Sequence, residues 1–362
     1  CRSLAIFNLS RSFGSFKFLH SLSVIFPDFY PMELKWKIVR HQLKAPFKIA
    51  YGVYDFRKAL IISITFDGKT GYGECTEIDY YHILLADFEV ELAKLQPVVA
   101  ALPLVSPFTF FHQLKSYALP PFLQAALDCA YWDLYGKVEN KTFAEMNQLE
   151  TRVYPESSIT ISMDDEEIQV KQILASDWNY CKVKVNTWST SLRDKLLATG
   201  KQISIDSNGS FTLEQCEAIA NDPLSAAFLY FEQPMPKGAE YYRHLTRVGY
   251  ANWMADEDVQ SVDDLELLQP HYKTLNIKVM KCGGLTPSLE IIHKAKVMQF
   301  KLMIGCMTES TVGISAGIAL ASFADYLDLD GANLIANDSF AGSKIVNGEV
   351  VLSQKSGLGI QI

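Results

Sequence analysis

The chain of 362 residues contains no apolar run of the ~18 residues that a bilayer crossing needs, so no membrane span is expected. It has no P-loop, no GxGxxG fingerprint and no GxSxG elbow, which sets aside the usual phosphate cradles and the α/β-hydrolase nucleophile. It has no CxxC pair: its seven cysteines are odd in number and scattered, which fits buried thiols in a reducing, cytoplasmic setting better than a disulfide framework or a zinc site. Positive charge is in deficit. A net charge of −8 and a pI near 5.5 argue against nucleic-acid and anionic-membrane partners. Solenoid-type repeats and low-complexity stretches are absent. The hydrophobic fraction of 49% is that of a globular protein, and the length predicts two domains.

The opening stretch has no acidic residue before Asp28 and is rich in Ser, Phe and basic residues. The chain starts at Cys1, and a plausible domain start follows at Met32. Residues 1–31 are therefore expected to be an upstream extension outside the fold rather than a targeting segment. From Met32 the pattern is β. ELKWKIVRHQL alternates, and ALIISITF followed by DGKTGYGE predicts a hairpin turning at Asp67-Gly68. KAPFKIAYGVYDFRK, punctuated by Gly and Pro, predicts a loop. Helical patterns follow, the last beginning at Pro120-Pro121 and expected to end at Gly136. Residues 32–150 are thus an expected α+β capping domain.

From about residue 151 strands and helices alternate. Five short apolar strands each end on one charged residue: Lys184, Asp206, Glu232, Asp256 and Lys278, separated by 22, 26, 24 and 22 residues. One strand, one helix and two short loops occupy about that length. SSITISM precedes this series; KLMIGCMTES and YLDLDG follow it, giving eight strands with little room for a last helix. The expected architecture is α/β, a modified (β/α)7β TIM-type barrel over residues 151–331, with its site at the C-terminal strand ends. Residues 332–362 are expected to pack back on the capping domain.

Strand alternation puts each of these charges on the barrel interior: Lys182 with Lys184, Asp206 with Ser204 and Asn208, Glu232 with Tyr230, Asp256 with Met254, and Lys278 with Asn276 and Met280. Three carboxylates converging without His or Cys suit a hard cation, with Mg²⁺ the natural choice. His244, His271 and His293 fall in helical or loop stretches and supply no strand-end base. A lysine becomes a base when nearby positive charge lowers its pKa, here from the metal and from Lys182 beside Lys184. Two such bases across a metal suit removal of a proton from the carbon next to a carboxylate.

The set KVK, IDSN, FEQP, MADE and NIKVMKCGG resembles the enolase superfamily, in its muconate-lactonising subgroup, over about residues 32–362. The resemblance implies Mg²⁺ on Asp206, Glu232 and Asp256, with Glu257 supporting them, and Lys184 and Lys278 as the acid/base pair. On the eighth strand, Asp328 and Asp330 share a face, and two adjacent carboxylates need a cation. This DxD, together with GCMTES, resembles the dipeptide epimerases, where the DxD binds the α-ammonium of the dipeptide. The expectation is epimerisation of a dipeptide at its C-terminal residue, the alternative being o-succinylbenzoate synthase or another cycloisomerase on the same scaffold. Lys182, Glu309, Lys48, Tyr51 and Thr160 are further candidates for contacts with the substrate. In the capping domain, Lys48, Arg57 and Lys58 would suit an acidic side chain, while Phe47, Tyr51 and Tyr54 would equally suit a hydrophobic one. The expected partners are a dipeptide and further copies of the chain in a homo-oligomer.

Overall fold

The computed structural model describes residues 31–49, 52–150 and 153–362. The N-terminal expectation for residues 1–31 falls almost wholly outside them. Three antiparallel strands come first: β1 (Glu33–Ile49), β2 (Gly52–Phe66) and β3 (Lys69–Thr76), in the order β1-β2-β3. Asp67 and Gly68 turn the second hairpin, both with positive φ (46° and 70°), as a two-residue primed turn demands. The stretch expected as a loop instead extends the first hairpin. Its ladder breaks between Gln42 and Phe47 and resumes with Phe47 opposite Tyr54. Pro46 has no N–H to give, so it falls in the break, and the aromatic residues beyond it favour pairing.

Helices α1 (Leu85–Ala101), α2 (Pro107–Leu114), α3 (Pro121–Glu139) and the single turn α4 (Phe143–Met146) follow. α3 starts on Pro121 as expected but runs past Gly136 to a left-handed cap at Asn140 (φ 53°). Gly136 is a packing glycine: a Cβ there would lie 2.6 Å from Gly357 Cα. β3 lies directly on α3. A Cβ at Gly73 would lie 1.9 Å from the Ala126 carbonyl oxygen, so only glycine permits the approach.

The second sheet contains eight parallel strands with helices between them. They are β4 (Ile159–Ile161), α5 (Glu166–Ala175), β5 (Tyr180–Lys184), α6 (Thr190–Leu197), β6 (Gln202–Asp206), α7 (Leu213–Asn221), β7 (Phe231–Glu232) and α8 (Ala239–Tyr242). Then come β8 (Trp253–Ala255), α9 (Leu265–Leu268), β9 (Thr274–Lys278), α10 (Val279–Cys282), α11 (Leu285–Val297), β10 (Lys301–Gly305), α12 (Thr311–Ala319) and β11 (Tyr326–Asp328). The strands pair in chain order, and a parallel bridge from Ser157 to Leu327 brings the first edge to the last. This is the α/β barrel that the strand count predicts.

The outward residues Val183, Ile205, Trp253, Ile277 and Ile304 pack against the helices in one large core. The inward residues Tyr230, Met254 and Met303 form a separate apolar plug. The strand-end charges follow this plug along the barrel interior. β9 ends at Lys278, earlier than its sequence suggests, because the chain coils into α10 before Gly283 and Gly284 (φ 93° and 126°). Met280 therefore leaves the barrel interior, and its Sδ receives the Thr76 amide at 3.4 Å.

After β11 the chain forms a small hairpin, β12 (Lys344–Val346) and β13 (Glu349–Val351). The same segment touches the first sheet and α3: Ala336 N–H donates to the Gln42 carbonyl at 2.8 Å and Leu358 N–H to Asp133 Oδ1 at 2.8 Å. No helix among the described residues is long and apolar enough to cross a membrane.

Replacing Gly73 with Ala forces β3 off α3 and is expected to cost about 3 kcal/mol in chemical denaturation, the upper range for overpacking. A cost below about 0.5 kcal/mol would show that the sheet moves freely on the helix.

Candidate active site

β5 and β9 lie four strands apart in an eight-stranded barrel, so Lys184 and Lys278 stand on opposite sides of its mouth, with β6, β7 and β8 between them. The three intervening strands end at Asp206 and Glu232 and lead into Asp256. A cavity opens above, walled on the barrel side by Lys182, Lys184, Lys278, Asp256, Asp328 and Asp330. Phe47, Ile49, Arg57 and Ile78 from the first sheet and the loop after it close the other side. Asp206 and Glu232 are fully buried and do not reach the cavity wall.

The ammoniums lie among the carboxylates. Lys184 Nζ donates to Asp206 Oδ2 at 2.5 Å and to Asn208 Oδ1 at 3.1 Å. Lys278 Nζ donates to Asp256 Oδ2 at 2.7 Å. Lys182 bonds to Asp328 and stands 3.4 Å from Glu232 and 3.7 Å from Asp206. A fourth lysine, Lys281, is 1% exposed; it donates to Asp256 Oδ1 at 2.6 Å and to the Asn276 carbonyl at 3.1 Å, and bonds the Asp256 carbonyl. Asn276 Nδ2 fixes Glu232 Oε1 at 2.6 Å. The sequence reading missed Lys281, although its position one helical turn after Lys278 in KVMKCGG was a usable signal. The position of Asn276 on the interior face was read, but not its grip on Glu232.

Burial pushes the Asp206 carboxyl up, and Lys184 and Lys182 override it, so the group sits below its ordinary range. Asp256 is held far lower by Lys278 and Lys281 against the same burial. Glu232 goes the other way: burial and Asp206 raise it to about 8. Burial and Asp256 raise Glu257 to about 7, and burial and Asp328 raise Asp330 to about 6. Two of the lysines respond to the same carboxylates. Burial alone would lower Lys278 and Lys182, but the carboxylates around each raise both above the ordinary lysine value. Without further positive charge neither is a ready base.

Among the described residues, no group of three His, Cys, Asp or Glu side chains is arranged to hold a metal ion as it stands. The donor chemistry nevertheless fits a divalent cation. Six buried acids (Asp206, Glu232, Asp256, Glu257, Asp328 and Asp330) face four buried lysines (Lys182, Lys184, Lys278 and Lys281), two more acids than bases. Glu232 Oε2 is buried and accepts no hydrogen bond. Lone pairs and charge of this kind are what an oxygen-seeking cation neutralises.

The other predicted residues divide. Thr160 lines the cavity, and its N–H donates to Asp330 Oδ2 at 2.7 Å. Asp328 is already engaged, by Lys182 and by Ser158 Oγ at 2.9 Å, so one member of the DxD pair has a cation from the protein itself. Lys48 does not enter the cavity; strand alternation sends it outward to Asp164 at 3.0 Å, while Phe47 and Ile49 face in. Glu309 does not reach the cavity wall either. It is buried, accepts Met307 N–H at 2.7 Å, and is raised to about 8 by burial and by Glu74. Tyr51 lies outside the described residues.

A barrel whose interior strand ends carry Lys, Asp, Glu, Asp and Lys beneath a capping sheet defines a class. Residues 33–146 match the mandelate racemase/muconate lactonizing enzyme N-terminal domain, and residues 189–362 match the enolase C-terminal domain-like family. The L-Ala-D/L-amino acid epimerase of a Maribacter species is 35% identical, over 91% of this chain and 99% of its own length. The L-Ala-D/L-amino acid epimerase of Flavobacterium johnsoniae is 31% identical, over 91% of this chain and the whole of its own. An enolase family member from Agrobacterium tumefaciens with homology to dipeptide epimerases, solved with sodium and L-Ala-L-Glu, superimposes with a TM-score of 0.80 at 25% identity, covering 90% of this chain and 98% of that one. The chain belongs to the enolase superfamily, in its mandelate racemase/muconate lactonizing branch. Within that branch it is an isomerase of the epimerase and racemase type.

Glu309 sets a pH dependence of its own, dominated by burial and by Glu74. Its folded pKa (about 8) exceeds its ordinary value of 4.5, so the folded state holds a proton that the unfolded state releases. Stability from this group is full below about 4.5 and is lost as pH rises towards 8, at up to ~1.4 kcal/mol per pH unit. Glu309→Gln is expected to flatten the decline of stability between pH 5 and 8, followed by urea unfolding. An unchanged slope would place the titration elsewhere.

Proposed function

We propose that the protein epimerises dipeptides at the C-terminal residue by proton transfer between the two faces of the α-carbon. The observation that carries this reading is the opposition of Lys184 and Lys278 across one cavity, with a carboxylate surplus between them. The relatives' activities on L-Ala-containing dipeptides support it.

In this reading the substrate α-carbon lies between the two Nζ atoms. One lysine, as free amine, takes the α-proton; the C–H electrons pass to the substrate carboxylate, and the opposite ammonium delivers a proton to the other face. Mg²⁺ held by Asp206, Glu232 and Asp256 would stabilise the second negative charge on that carboxylate and, by drawing Asp206 and Asp256 off the lysines, lower their proton affinity. Lys281 and Asn276 hold Asp256 and Glu232 from behind, which fixes the direction in which those carboxylates face. The substrate ammonium goes to Asp330, because Lys182 already takes Asp328. The Thr160 amide holds Asp330 in place.

Incubation with a dipeptide library in D₂O and Mg²⁺ is expected to incorporate deuterium at the C-terminal α-carbon, and EDTA is expected to stop it. Lys184→Ala and Lys278→Ala should each reduce epimerisation by ~10²–10⁴-fold, the usual contribution of a general acid or base. Exchange persisting through both single changes would rule out the two-base mechanism. Turnover of a succinylbenzoate precursor with no dipeptide exchange would overturn the substrate assignment.

A further inference from the structure

The three acids read as ligands of a divalent cation stand where the strand ladder ends. Asp206 and Glu232 are the last pair between β6 and β7, and Asp256 follows the last residue of β8. Lys281 and Asn276 grip carboxylate oxygens of Asp256 and Glu232. The main chain that carries the acids is gripped by a different residue, Gln233.

Gln233 follows Glu232 directly and is 1% exposed. Its φ of 35° lies in the left-handed region, which a non-glycine residue keeps only where its surroundings hold it. Its N–H donates to the Met254 carbonyl at 2.9 Å. Its carbonyl accepts the Gly209 amide at 2.7 Å and the Ser207 hydroxyl at 2.8 Å, both from the turn after β6. Its Oε1 accepts the amides of Asp256 at 3.1 Å and Asp258 at 3.3 Å. Its Nε2 donates to the Met235 carbonyl and to Asp258 Oδ2, each at 2.9 Å. Both donors and both lone pairs of the side-chain amide are used, and its orientation follows from the groups that meet each end.

One residue thus bonds the neighbour of Asp206, adjoins Glu232 and holds the amide of Asp256. Strain held in place by a saturated network clusters at working sites. Mg²⁺ demands near-octahedral geometry, whereas Ca²⁺ accepts more ligands in looser arrangements, so ligand spacing discriminates between them.

We propose that Gln233 is a positioning residue that sets the spacing of Asp206, Glu232 and Asp256 and thereby makes the site selective for Mg²⁺ over Ca²⁺. This role rests on the reading of those three acids as metal ligands and adds what spaces them.

The test is calorimetric titration of the full chain, stripped with EDTA and dialysed, with MgCl₂ and with CaCl₂ in the absence of substrate. The wild type is expected to bind Mg²⁺ the more tightly. Gln233→Met keeps the length of the side chain and removes the hydrogen bonds of its amide. It should weaken Mg²⁺ by ~10- to 100-fold, the usual cost of losing a partner behind a metal ligand, and Ca²⁺ by less than ~3-fold. Gln233→Glu retains an oxygen for the Asp256 and Asp258 amides and should lose only part of the preference. Tyr272→Phe is the control: it removes a 2.7 Å bond to Asp258 Oδ2 from the same buried network without touching the main chain of the ligands. It should lower the melting temperature and leave the Mg²⁺-to-Ca²⁺ affinity ratio unchanged. A ratio unchanged in either Gln233 variant, a ratio moved as far by Tyr272→Phe, or equal affinities in the wild type overturns the role of Gln233 while leaving the metal reading intact. A wild type that binds neither ion overturns that reading as well.

Discussion

The structure depends on a surplus of buried negative charge at the mouth of the barrel. Below it the interior is closed by Tyr230, Met254 and Met303, so the ladder of carboxylates and ammoniums sits against a dry floor. In such surroundings each charge is tolerable only through its partners, and removing one member typically costs 3–5 kcal/mol. That constraint explains why the lysines lean onto the carboxylates here and why the proton affinity of Lys182 and Lys278 rises. It also explains why one carboxylate, Glu232, with Asp206 close by and only the 3.4 Å approach of Lys182 to offset it, is driven towards the neutral form. The same excess of acids provides oxygen donors that suit a divalent cation.

The cavity exists only because the first sheet is held over the barrel mouth, and this coupling is also made through buried charge. Glu74, on β3, accepts hydrogen bonds from Ser310 Oγ at 2.5 Å, from the Ser310 amide at 3.0 Å and from the Gly313 amide at 3.2 Å, at the start of α12. His41 on β1 braces the same carboxylate at 3.1 Å. A carboxylate at a helix N-terminus is favourable on its own. Here it also ties the sheet to the loop after β10, whose Cys306, Met307 and Thr308 line the cavity. Glu309, next to that junction, faces Glu74 rather than the substrate space. Its burial belongs to the seam between the sheet and the barrel.

The barrel and its five strand-end charges were legible because strand alternation and the interval between βα units are local properties. Pairings across the barrel were not. Lys182 and Asp328 are 146 residues apart and meet only because β4 and β11 close the cylinder. Read alone, Asp328 and Asp330 seemed to await an outside cation; in the folded chain one of them already has an internal partner. The first hairpin was misread for another reason. Gly52 and Pro46 are loop signals, but Pro46 falls in a ladder break and the aromatic residues around it pair as strands. That extension decides which hairpin residues face the cavity, sending Arg57 in and Lys48 out. Lys281 could have been found from the sequence, since its spacing from Lys278 places the two on neighbouring faces of one turn.

Six buried acids against four buried lysines leave two acids in excess, a donor set that suits a divalent cation. A dipeptide of neutral side chain enters as a zwitterion, its ammonium and carboxylate cancelling, and leaves that balance unchanged. A low-dielectric cavity favours the forms in which the excess of acids is balanced over those in which it is not.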